Sequence, residues 1–430
     1  MSEHEQEEAH ELRLDENDVA LDVTENPDAM DEEDSEIDPE ETFQDDSIAA
    51  FYGHRKSVFC VQLHPNFPNP PIAVSGGEDD GGWIWNTIDG SEIARLSGHT
   101  DSVIAVSFSS DGEYVATGGL DGRVRVWRHH GDTWVTWEFL TTLDGPSEIV
   151  WLAWHPKGPV LSAGASDTTV WMWQCTLMLT VPSGNVMNVF SGHIGSVTCG
   201  TFTPDGRRLV SASDDGSLIV WDPRTAAVLT KFDGVDKRFE LLGGITALSV
   251  SPDSRIIVVG GAVGGIRVVN ISNLDSGGTG ALLGSFDGHT DGESVESLEF
   301  VSLAGNTAHV VSAGTDGRAI VWDLHAGRAR GEVAHDAAIT KLVVHGNTPL
   351  FTTSSVDHTI RTWDARNAQP VGVQKGFTDG VLDVAVGVDD GLTQGTDSGG
   401  IGAFVDPAKS KGYKLVGAGD EGVALVFRLN

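Results

Sequence analysis

The chain has 430 residues, of which 40% are hydrophobic, and a formal net charge of −36 at pH 7. The hydrophobic fraction is large enough for a buried core, whereas the negative charge repels phosphate groups and argues against direct binding of DNA or RNA. The three cysteines, Cys60, Cys175 and Cys199, lack the spacing of a disulfide framework or a zinc site, and no apolar run is long enough to cross a membrane. We therefore expect a soluble monomer without metal or cofactor, located in the cytoplasm with access to the nucleus.

The N-terminal segment is the most acidic part of the chain. Residues 1–46 contain 21 acidic residues and one base, Arg13, so they carry a net charge of −20 and leave −16 for the remaining residues. The block at 31–41, DEEDSEIDPEE, has too few apolar side chains to bury a core. We predict that 1–46 is a disordered acidic tail and that 47–430 forms the folded domain.

A unit of about 30 residues recurs along the folded part and is clearest at 191–222, SGHIGSVTCGTFTPDGRRLVSASDDGSLIVWD. Its short apolar runs at 197–202, 208–212 and 218–221 are separated by Asp-Gly turns. Short apolar runs bounded by turn residues are typical of antiparallel strands rather than helices. The sequence therefore predicts a repeated, all-β unit.

Four polar or aromatic residues stand at fixed offsets in this unit: His193, Ser211, Asp215 and Trp221. A hydrogen-bonded set of these side chains would satisfy the indole N–H and fix the imidazole tautomer inside the sheet. The pattern resembles the WD40 repeat, whose fold is a β-propeller of four-stranded blades. The residues expected to form this network in the other blades are His54, Asp79, Trp85, His99, Asp121, Trp127, Asp167, Trp173, His289, Asp316, Trp322, His335, Asp357 and Trp363.

We predict a single WD40 propeller of eight blades, with seven as the alternative count. Blade five is degenerate because Val263 and Val269 stand where the repeat has Asp and Trp, and the last blade carries Glu421 and Phe427 at those positions. A strand at 47–52 is expected to close the ring by completing the last blade. The blades are expected near 53–97, 98–144, 145–191, 192–233, 234–287, 288–333, 334–375 and 376–430.

One face of such a ring is predicted to be acidic. The loops that precede the first strand of each blade, and those between its second and third strands, gather on the same face, and acids outnumber bases in them. The acids expected to bind a partner are Glu78, Asp80, Asp101, Glu148, Asp214, Glu296 and Asp379. Each exposed ion pair contributes only ~0.2–1 kcal/mol, so a basic peptide would be held by many contacts; alternatively, these acids only keep the protein soluble.

No arrangement of residues predicts an enzyme. The segment at 417–422 matches GxGxxG, but it lies in a strand–strand turn with no helix to present N–H groups to a phosphate. The repeat histidines are better explained as structural, and no nucleophile stands with a base and an orienting group. We expect a binding protein without catalytic activity.

Longer segments resemble a particular family. The segments at 57–65 (SVFCVQLHP), 73–85 (AVSGGEDDGGWIW), 154–164 (WHPKGPVLSAG) and 293–300 (ESVESLEF) are similar to those of the angio-associated migratory cell protein family. The resemblance covers 50–430. It implies an eight-bladed propeller that, in fungal members, is the dedicated chaperone of a basic ribosomal protein of the large subunit, the eukaryotic L-ten type. Such members hold the client's basic N-terminal part on an acidic face until the client reaches the pre-ribosome.

Two other functions remain open at the level of the sequence. The chain could be a general assembly scaffold with no single client. It could also be a substrate receptor of a cullin-type ubiquitin ligase, because Trp221-Asp-Pro-Arg224 and Trp363-Asp-Ala-Arg366 resemble the motif by which some WD40 proteins dock their ligase adaptor. The motif is only four residues long, and half of it belongs to the repeat itself.

Overall fold

The computed structural model describes residues 43–131, 133–145, 147–175, 184–303, 306–389 and 412–429. Their regular structure is β-strand, apart from one 3-10 turn at Leu274–Ser276. No helix within these segments is long and apolar enough to span a membrane. Most of the predicted acidic tail, residues 1–42, lies outside the described residues.

Within the described segments, thirty-two strands form eight antiparallel sheets of four strands each. Blade one consists of β2 Val58–Leu63, β3 Ile72–Gly77, β4 Gly82–Asn86 and β5 Glu92–Leu96, and blade two of β6 Val103–Phe108, β7 Tyr114–Gly119, β8 Arg123–His130 and β9 Thr136–Asp144. Blade three consists of β10 Ile149–Trp154, β11 Val160–Ala165, β12 Thr169–Gln174 and β13 Asn185–Ser191, and blade four of β14 Cys199–Phe202, β15 Leu209–Ala212, β16 Leu218–Trp221 and β17 Val228–Phe232.

The remaining four blades continue the same order. Blade five consists of β18 Ile245–Val250, β19 Ile256–Gly261, β20 Gly265–Asn270 and β21 Ala281–Asp287, and blade six of β22 Val295–Leu303, β23 Asn306–Gly314, β24 Arg318–Asp323 and β25 Arg328–Ala334. Blade seven consists of β26 Ile339–Val344, β27 Leu350–Ser355, β28 Ile360–Asp364 and β29 Gln369–Gln374, and blade eight of β30 Val381–Asp389, β31 Gly412–Gly419, β32 Ala424–Leu429 and β1 Ala49–Phe51.

The eight sheets close into a ring. The first strand of each blade contacts the first strand of the next, and β30 of blade eight returns to β2 of blade one. The prediction of an eight-bladed, all-β propeller is confirmed, and the alternative count of seven is wrong. The first strands therefore surround the centre, and the fourth strands form the outer edge.

The two ends of the folded domain meet in blade eight. Strand β1 pairs antiparallel with β32, with Ala49 opposite Val426 and Phe51 opposite Ala424. The ordered contacts begin slightly before the predicted boundary at residue 47, because the Asp46 N–H donates to the Lys375 carbonyl at 2.8 Å and the Asp46 carboxylate accepts the Lys375 N–H at 3.1 Å. The backbone is thus already tied to blade seven when it enters β1.

The hydrophobic core lies between neighbouring blades, where the sheets pack face to face. Trp85 of blade one is fully buried and stacks on Phe51 of blade eight, with ring centroids 5.1 Å apart and planes 4° apart. Each such cluster draws side chains from two adjacent sheets. The repeat tryptophans therefore join the blades to one another, and packing explains their presence.

The degenerate blades keep the geometry and lose the polar network. In blade one, a Cβ on Gly77 would meet the His54 imidazole, whereas a Cβ on Gly261 of blade five would meet the Leu241 side chain. In blade eight the equivalent glycine is Gly419, and its neighbour is the Phe377 ring. Apolar side chains thus occupy the histidine positions of blades five and eight.

Candidate functional site

The repeat network is complete in blade six. The Nδ1 of His289 lies 3.0 Å from a carboxylate oxygen of Asp316, and its Nε2 lies 2.7 Å from the Ser312 hydroxyl, which also accepts the indole N–H of Trp322 at 2.9 Å. Burial opposes ionisation of Asp316, but hydrogen bonds from the Thr290 N–H and from His289 outweigh it and hold the pKa of this carboxyl below its ordinary value. This set is satisfied internally and is structural.

Three further blades contain the histidine contacts. The imidazole lies 2.8–3.0 Å from the carboxylate and 2.7–2.9 Å from the hydroxyl in each of them. The residues joined in this way are His54, Asp79 and Ser75; His99, Asp121 and Thr117; and His335, Asp357 and Thr353. The indoles of Trp85 and Trp363 complete the set in blades one and seven, and Trp127 is buried in blade two.

Blade four departs from the prediction. The Nδ1 of His193 lies 3.8 Å from Asp215 and only 2.8 Å from the Ser217 hydroxyl. Asp215 instead accepts the N–H groups of Ile194 and Ser217, both at 2.7 Å. Burial without a close carboxylate lowers the pKa of His193 to about 4. The predicted contacts of Ser211 with His193 and with Trp221 are present, at 2.7 and 2.8 Å.

Blade three lacks the histidine, and its repeat aspartate accepts hydrogen bonds from its own turn. Asp167 accepts the N–H and the hydroxyl of Thr169, at 3.1 and 2.6 Å, and Trp171 donates to the same hydroxyl at 2.9 Å. Trp173 is buried between the blades. Asp167 therefore shapes its own turn, as the other repeat aspartates do, but has no buried imidazole beside it.

A backbone hydrogen bond repeated in all eight blades brings two sets of loops together. The N–H of the residue before each repeat acid, or before Val263 in blade five, donates to a carbonyl at the start of the same blade's first strand, as in Glu78 to Ser57 at 2.9 Å and Asp214 to Ser196 at 3.1 Å. The donors are Glu78, Leu120, Ser166, Asp214, Ala262, Thr315, Val356 and Asp420. The turn between the second and third strands thus meets the entry to the first strand, and we call this end of the blades the rim end.

The turns between second and third strands are strongly acidic. Together they contain eleven acids and no lysine or arginine: Glu78, Asp79, Asp80, Asp121, Asp167, Asp214, Asp215, Asp316, Asp357, Asp420 and Glu421. The acids of the repeat network are partly buried, whereas their neighbours face solvent. The network therefore fixes the turns, and the remaining acids project from them.

The structure places six of the seven predicted partner-binding acids in the loops of the rim end, and the seventh, Glu296, at the second position of β22. Six of the seven are exposed, and Glu78 is half-buried and pairs with Lys56 at 3.1 Å. The Asp214 carboxylate lies directly over Gly195, where a Cβ would come within 1.8 Å of the carboxylate oxygen. The other five are Asp80, Asp101, Glu148, Glu296 and Asp379.

The sequence analysis missed one exposed acid in the turns between second and third strands, Asp420. Asp420 precedes Glu421 and donates its N–H to Gly380, as the equivalent residue does in every other blade. The six-residue offset between Glu421 and Phe427 was the available signal, because the residue before the repeat acid always lies on this surface. We call the seven predicted acids and Asp420 together the acidic rim.

The first strands, which surround the centre of the ring, carry acidic side chains that accept hydrogen bonds from the next blade. Glu299 of β22 accepts the Val344 N–H at 2.6 Å, and Asp383 of β30 accepts the Val61 N–H at 2.9 Å. In blade one Gln62 makes the equivalent bond to Phe108, also at 2.6 Å. Burial raises the pKa of Glu299 to about 7, although its hydrogen bond and the nearby Lys341 oppose the shift. These bonds connect adjacent first strands.

We expect Glu299→Gln to stabilise the protein at high pH. The folded state raises the pKa of this carboxyl from 4.5 to about 7, so the native carboxylate loses stability as the pH rises between these values. Glutamine keeps the acceptor, as Gln62 does in blade one, and removes the charge. The free energy of unfolding measured in urea is expected to rise by about 3 kcal/mol at pH 8 and to be nearly unchanged at pH 4. Glu92→Gln, on the outer strand β5, is the control. An equal gain in unfolding free energy in this variant would contradict the explanation that the Glu299 charge destabilises the folded state.

The described residues contain no group of three or more His, Cys, Asp and Glu side chains that could hold a metal ion. The arrangement instead offers a rigid ring with carboxylates spaced around one face. Carboxylates of this kind accept charge-assisted hydrogen bonds from guanidinium and ammonium groups. The geometry fits multipoint binding of a basic chain.

The same repeat is found in known proteins. The family model described as WD domain, G-beta repeat matches residues 45–86, 90–128, 137–174, 184–222, 280–323 and 330–364. None of the matched segments contains the first three strands of blade five or of blade eight. These are the blades in which Leu241 and Phe377 replace the histidine.

Proteins of similar length match most of the chain. Human angio-associated migratory cell protein is 33% identical over 81% of this chain and 77% of its own length, and the ribosome assembly protein SQT1 of Saccharomyces cerevisiae is 27% identical over 93% and 89%. The crystal structure of Chaetomium thermophilum Sqt1 bound to the N-terminus of the ribosomal protein L10 has a TM-score of 0.74 at 28% identity, covering 89% of this chain and all of that one. The resemblance predicted from the sequence is thus confirmed, and the chain belongs to the angio-associated migratory cell protein family of WD40-repeat proteins.

Proposed function

We propose that the protein is a non-catalytic escort of a basic ribosomal protein of the large subunit. The acidic rim holds the basic N-terminal segment of this client, of the type of ribosomal protein L10, during ribosome assembly. The protein acts as a monomer in the cytoplasm, with access to the nucleus. The observation that carries the proposal is the set of eleven acids, with no lysine or arginine, in the eight turns of the rim end.

The electrostatics of the rim favour an extended basic peptide. Each exposed ion pair is worth only ~0.2–1 kcal/mol, so useful affinity requires several pairs formed at once. Carboxylates on a closed ring are already positioned, which reduces the ordering that binding would otherwise require. A surface of this charge also speeds encounter with a basic partner and disfavours nucleic acid.

The similarity to Sqt1 supports the choice of client class. The Chaetomium protein is described in complex with the N-terminus of ribosomal protein L10, and the yeast protein is named a ribosome assembly protein. Both match nearly the whole propeller of this chain. An acidic rim on the same fold is consistent with the same class of client.

We expect binding of the client segment to depend strongly on salt. Screening weakens exposed ion pairs, so the dissociation constant for the N-terminal peptide of ribosomal protein L10 should rise at least about tenfold between ~0.05 M and ~0.5 M NaCl. Titration calorimetry with the full chain measures this. A peptide of the same composition in scrambled order is the control. Equal binding of many unrelated basic peptides would favour a general scaffold instead.

The ubiquitin-ligase alternative gains no support at one of its two motifs. The Arg366 guanidinium is paired with Asp364 of its own motif, with Nη2–Oδ2 and Nε–Oδ1 distances of 2.5 and 3.0 Å. An arginine held in this way must break its own pair before it can contact an adaptor. The other motif ends in Arg224, which lines the same cavity as Lys157 and Arg207, and these surroundings fit an acidic partner.

A further inference from the structure

The end of the blades opposite the rim end carries a groove with basic edges. In an antiparallel blade the turns alternate between the two ends, so the first–second and third–fourth turns lie opposite the acidic rim. Between blades three and four these turns enclose about 390 Å³. The floor includes Val160, Met172 and Met187, and the cationic side chains at its edges are Lys157, Arg207 and Arg224. We call this site the basic groove.

Hydrogen bonds between the turns hold the basic groove in shape. The Lys157 ammonium donates to the Asp205 carbonyl at 2.7 Å, and the His155 imidazole lies 2.9 Å from the Gly206 carbonyl. Gly206 has φ +72°, a conformation that favours glycine. On the other side, the Asn188 amide donates to the Pro223 carbonyl at 2.7 Å. The groove is therefore formed before any partner arrives.

The carboxylates nearest the groove are already engaged. Asp205 accepts the Thr203 hydroxyl at 2.6 Å, Asp222 accepts the Thr225 hydroxyl at 3.0 Å, and Asp275 lies 2.6 Å from the buried guanidinium of Arg208. Each shapes its own turn or holds a buried cation.

The cations at the groove edges remain accessible. The Arg207 side chain is 68% exposed although its guanidinium lies 3.3 Å from Asp275 and 3.9 Å from Asp205, and Lys157 and Arg224 are exposed as well. Within the part of the chain that the structure describes, no carboxylate forms an ion pair with Lys157 or Arg224. Lys157 and Arg224 are thus available to a partner, and the exposed Arg207 would have to be shared with Asp275 and Asp205, in a protein whose overall charge is strongly negative.

We propose that the basic groove binds an acidic peptide segment of a partner protein, with an aliphatic side chain of that segment placed among Val160, Met172 and Met187. Aspartate or glutamate residues on either side of the aliphatic residue pair with Lys157, Arg207 and Arg224. Methionine side chains adapt to apolar groups of different shape, and Met187 is exposed at the groove while Met172 is buried beneath it.

A peptide fits this groove better than RNA does. Single-stranded RNA is held by aromatic faces on which bases stack, and among the residues that the structure describes no Phe, Tyr or Trp lines the groove. The mixture of an aliphatic floor and basic edges matches a short motif that contains both apolar and acidic residues. Because the site lies at the opposite end from the acidic rim, an acidic partner can bind while a basic client is held.

The test uses a fluorescein-labelled peptide of sequence Asp-Glu-Asp-Leu-Glu-Asp-Glu and the full chain. We expect saturable binding by fluorescence anisotropy below ~1 mM, with an affinity reduced about tenfold or more by Arg207→Glu combined with Arg224→Glu. Replacing the leucine of the peptide by serine should weaken binding at least about threefold. Arg255→Glu, in the corresponding turn of blade five and outside the groove lining, is the control and should leave binding unchanged.

Several results would overturn the proposal. These are equal loss of binding in Arg255→Glu, no effect of the serine peptide, no saturation below ~1 mM, or tighter binding of a ten-nucleotide uridine RNA than of the peptide. The L10-type peptide is measured on the same variants. Its binding should survive the Arg207 and Arg224 substitutions, so failure of this proposal and failure of the escort function are distinguishable.

Discussion

Reversing three carboxylates of the acidic rim is expected to weaken binding of the client segment by about 100-fold or more. The variant carries Glu78→Lys, Asp214→Lys and Glu296→Lys, which change blades one, four and six. Each reversal removes an attraction of ~0.2–1 kcal/mol and adds a comparable repulsion, so an average change of ~0.9 kcal/mol per reversal reaches the ~2.7 kcal/mol that corresponds to 100-fold. Titration calorimetry with the L10-type peptide at low salt measures the change.

A matched variant separates local contacts from overall charge. Glu92→Lys, Glu138→Lys and Asp253→Lys change the net charge by the same amount, but these residues lie on outer strands or at the end opposite the rim. We expect them to lower affinity only slightly, through long-range attraction. Equal losses in the two triple variants, with both proteins folded, would place the client elsewhere on the surface.

Trp322→Ala is expected to destabilise the propeller by about 3–5 kcal/mol. Trp322 is 3% exposed, its ring lies 5.2 Å from Phe286 of blade five, and its indole N–H donates to Ser312. The substitution leaves a large cavity between blades five and six and removes one partner of a buried hydroxyl. The free energy of unfolding in urea, measured by circular dichroism, reports the loss.

An exposed aromatic residue provides the comparison for this prediction. Phe139, on the outer strand β9, is 49% exposed and lies under the Arg125 guanidinium, 4.5 Å away. Phe139→Ala should cost no more than about 1 kcal/mol, because it opens no buried cavity. If Trp322→Ala unfolds at nearly the same urea concentration as the native chain, the tryptophans are not what holds the blades together.

The fold was predictable because each blade repeats the same offsets. His289, Ser312, Asp316 and Trp322 could be placed together from spacing alone, since the repeat fixes which strands bear them. The eighth blade followed from a weaker trace of the same offset, between Glu421 and Phe427. Repetition thus supplied the long-range information that a single segment of sequence does not contain.

Other features depend on distances that spacing does not encode. The His193 imidazole contacts Ser217 rather than Asp215, and the difference is about 1 Å within an unchanged turn. Leu241 fills the histidine position of blade five from a lengthened loop, so no fixed offset locates it. The basic groove was also hidden, because Lys157, Arg207 and Arg224 come from different turns that only packing of blades three and four brings together.

The pairing of β1 with β32 also determines when the ring can be completed during synthesis. Ala49 is synthesised long before its partner Val426. Blades one to seven can form in order as their strands appear, whereas blade eight must wait for 424–429. Until then Asp379 and Asp420 have no finished blade to hold them, so the acidic rim is complete only after β32 has been made.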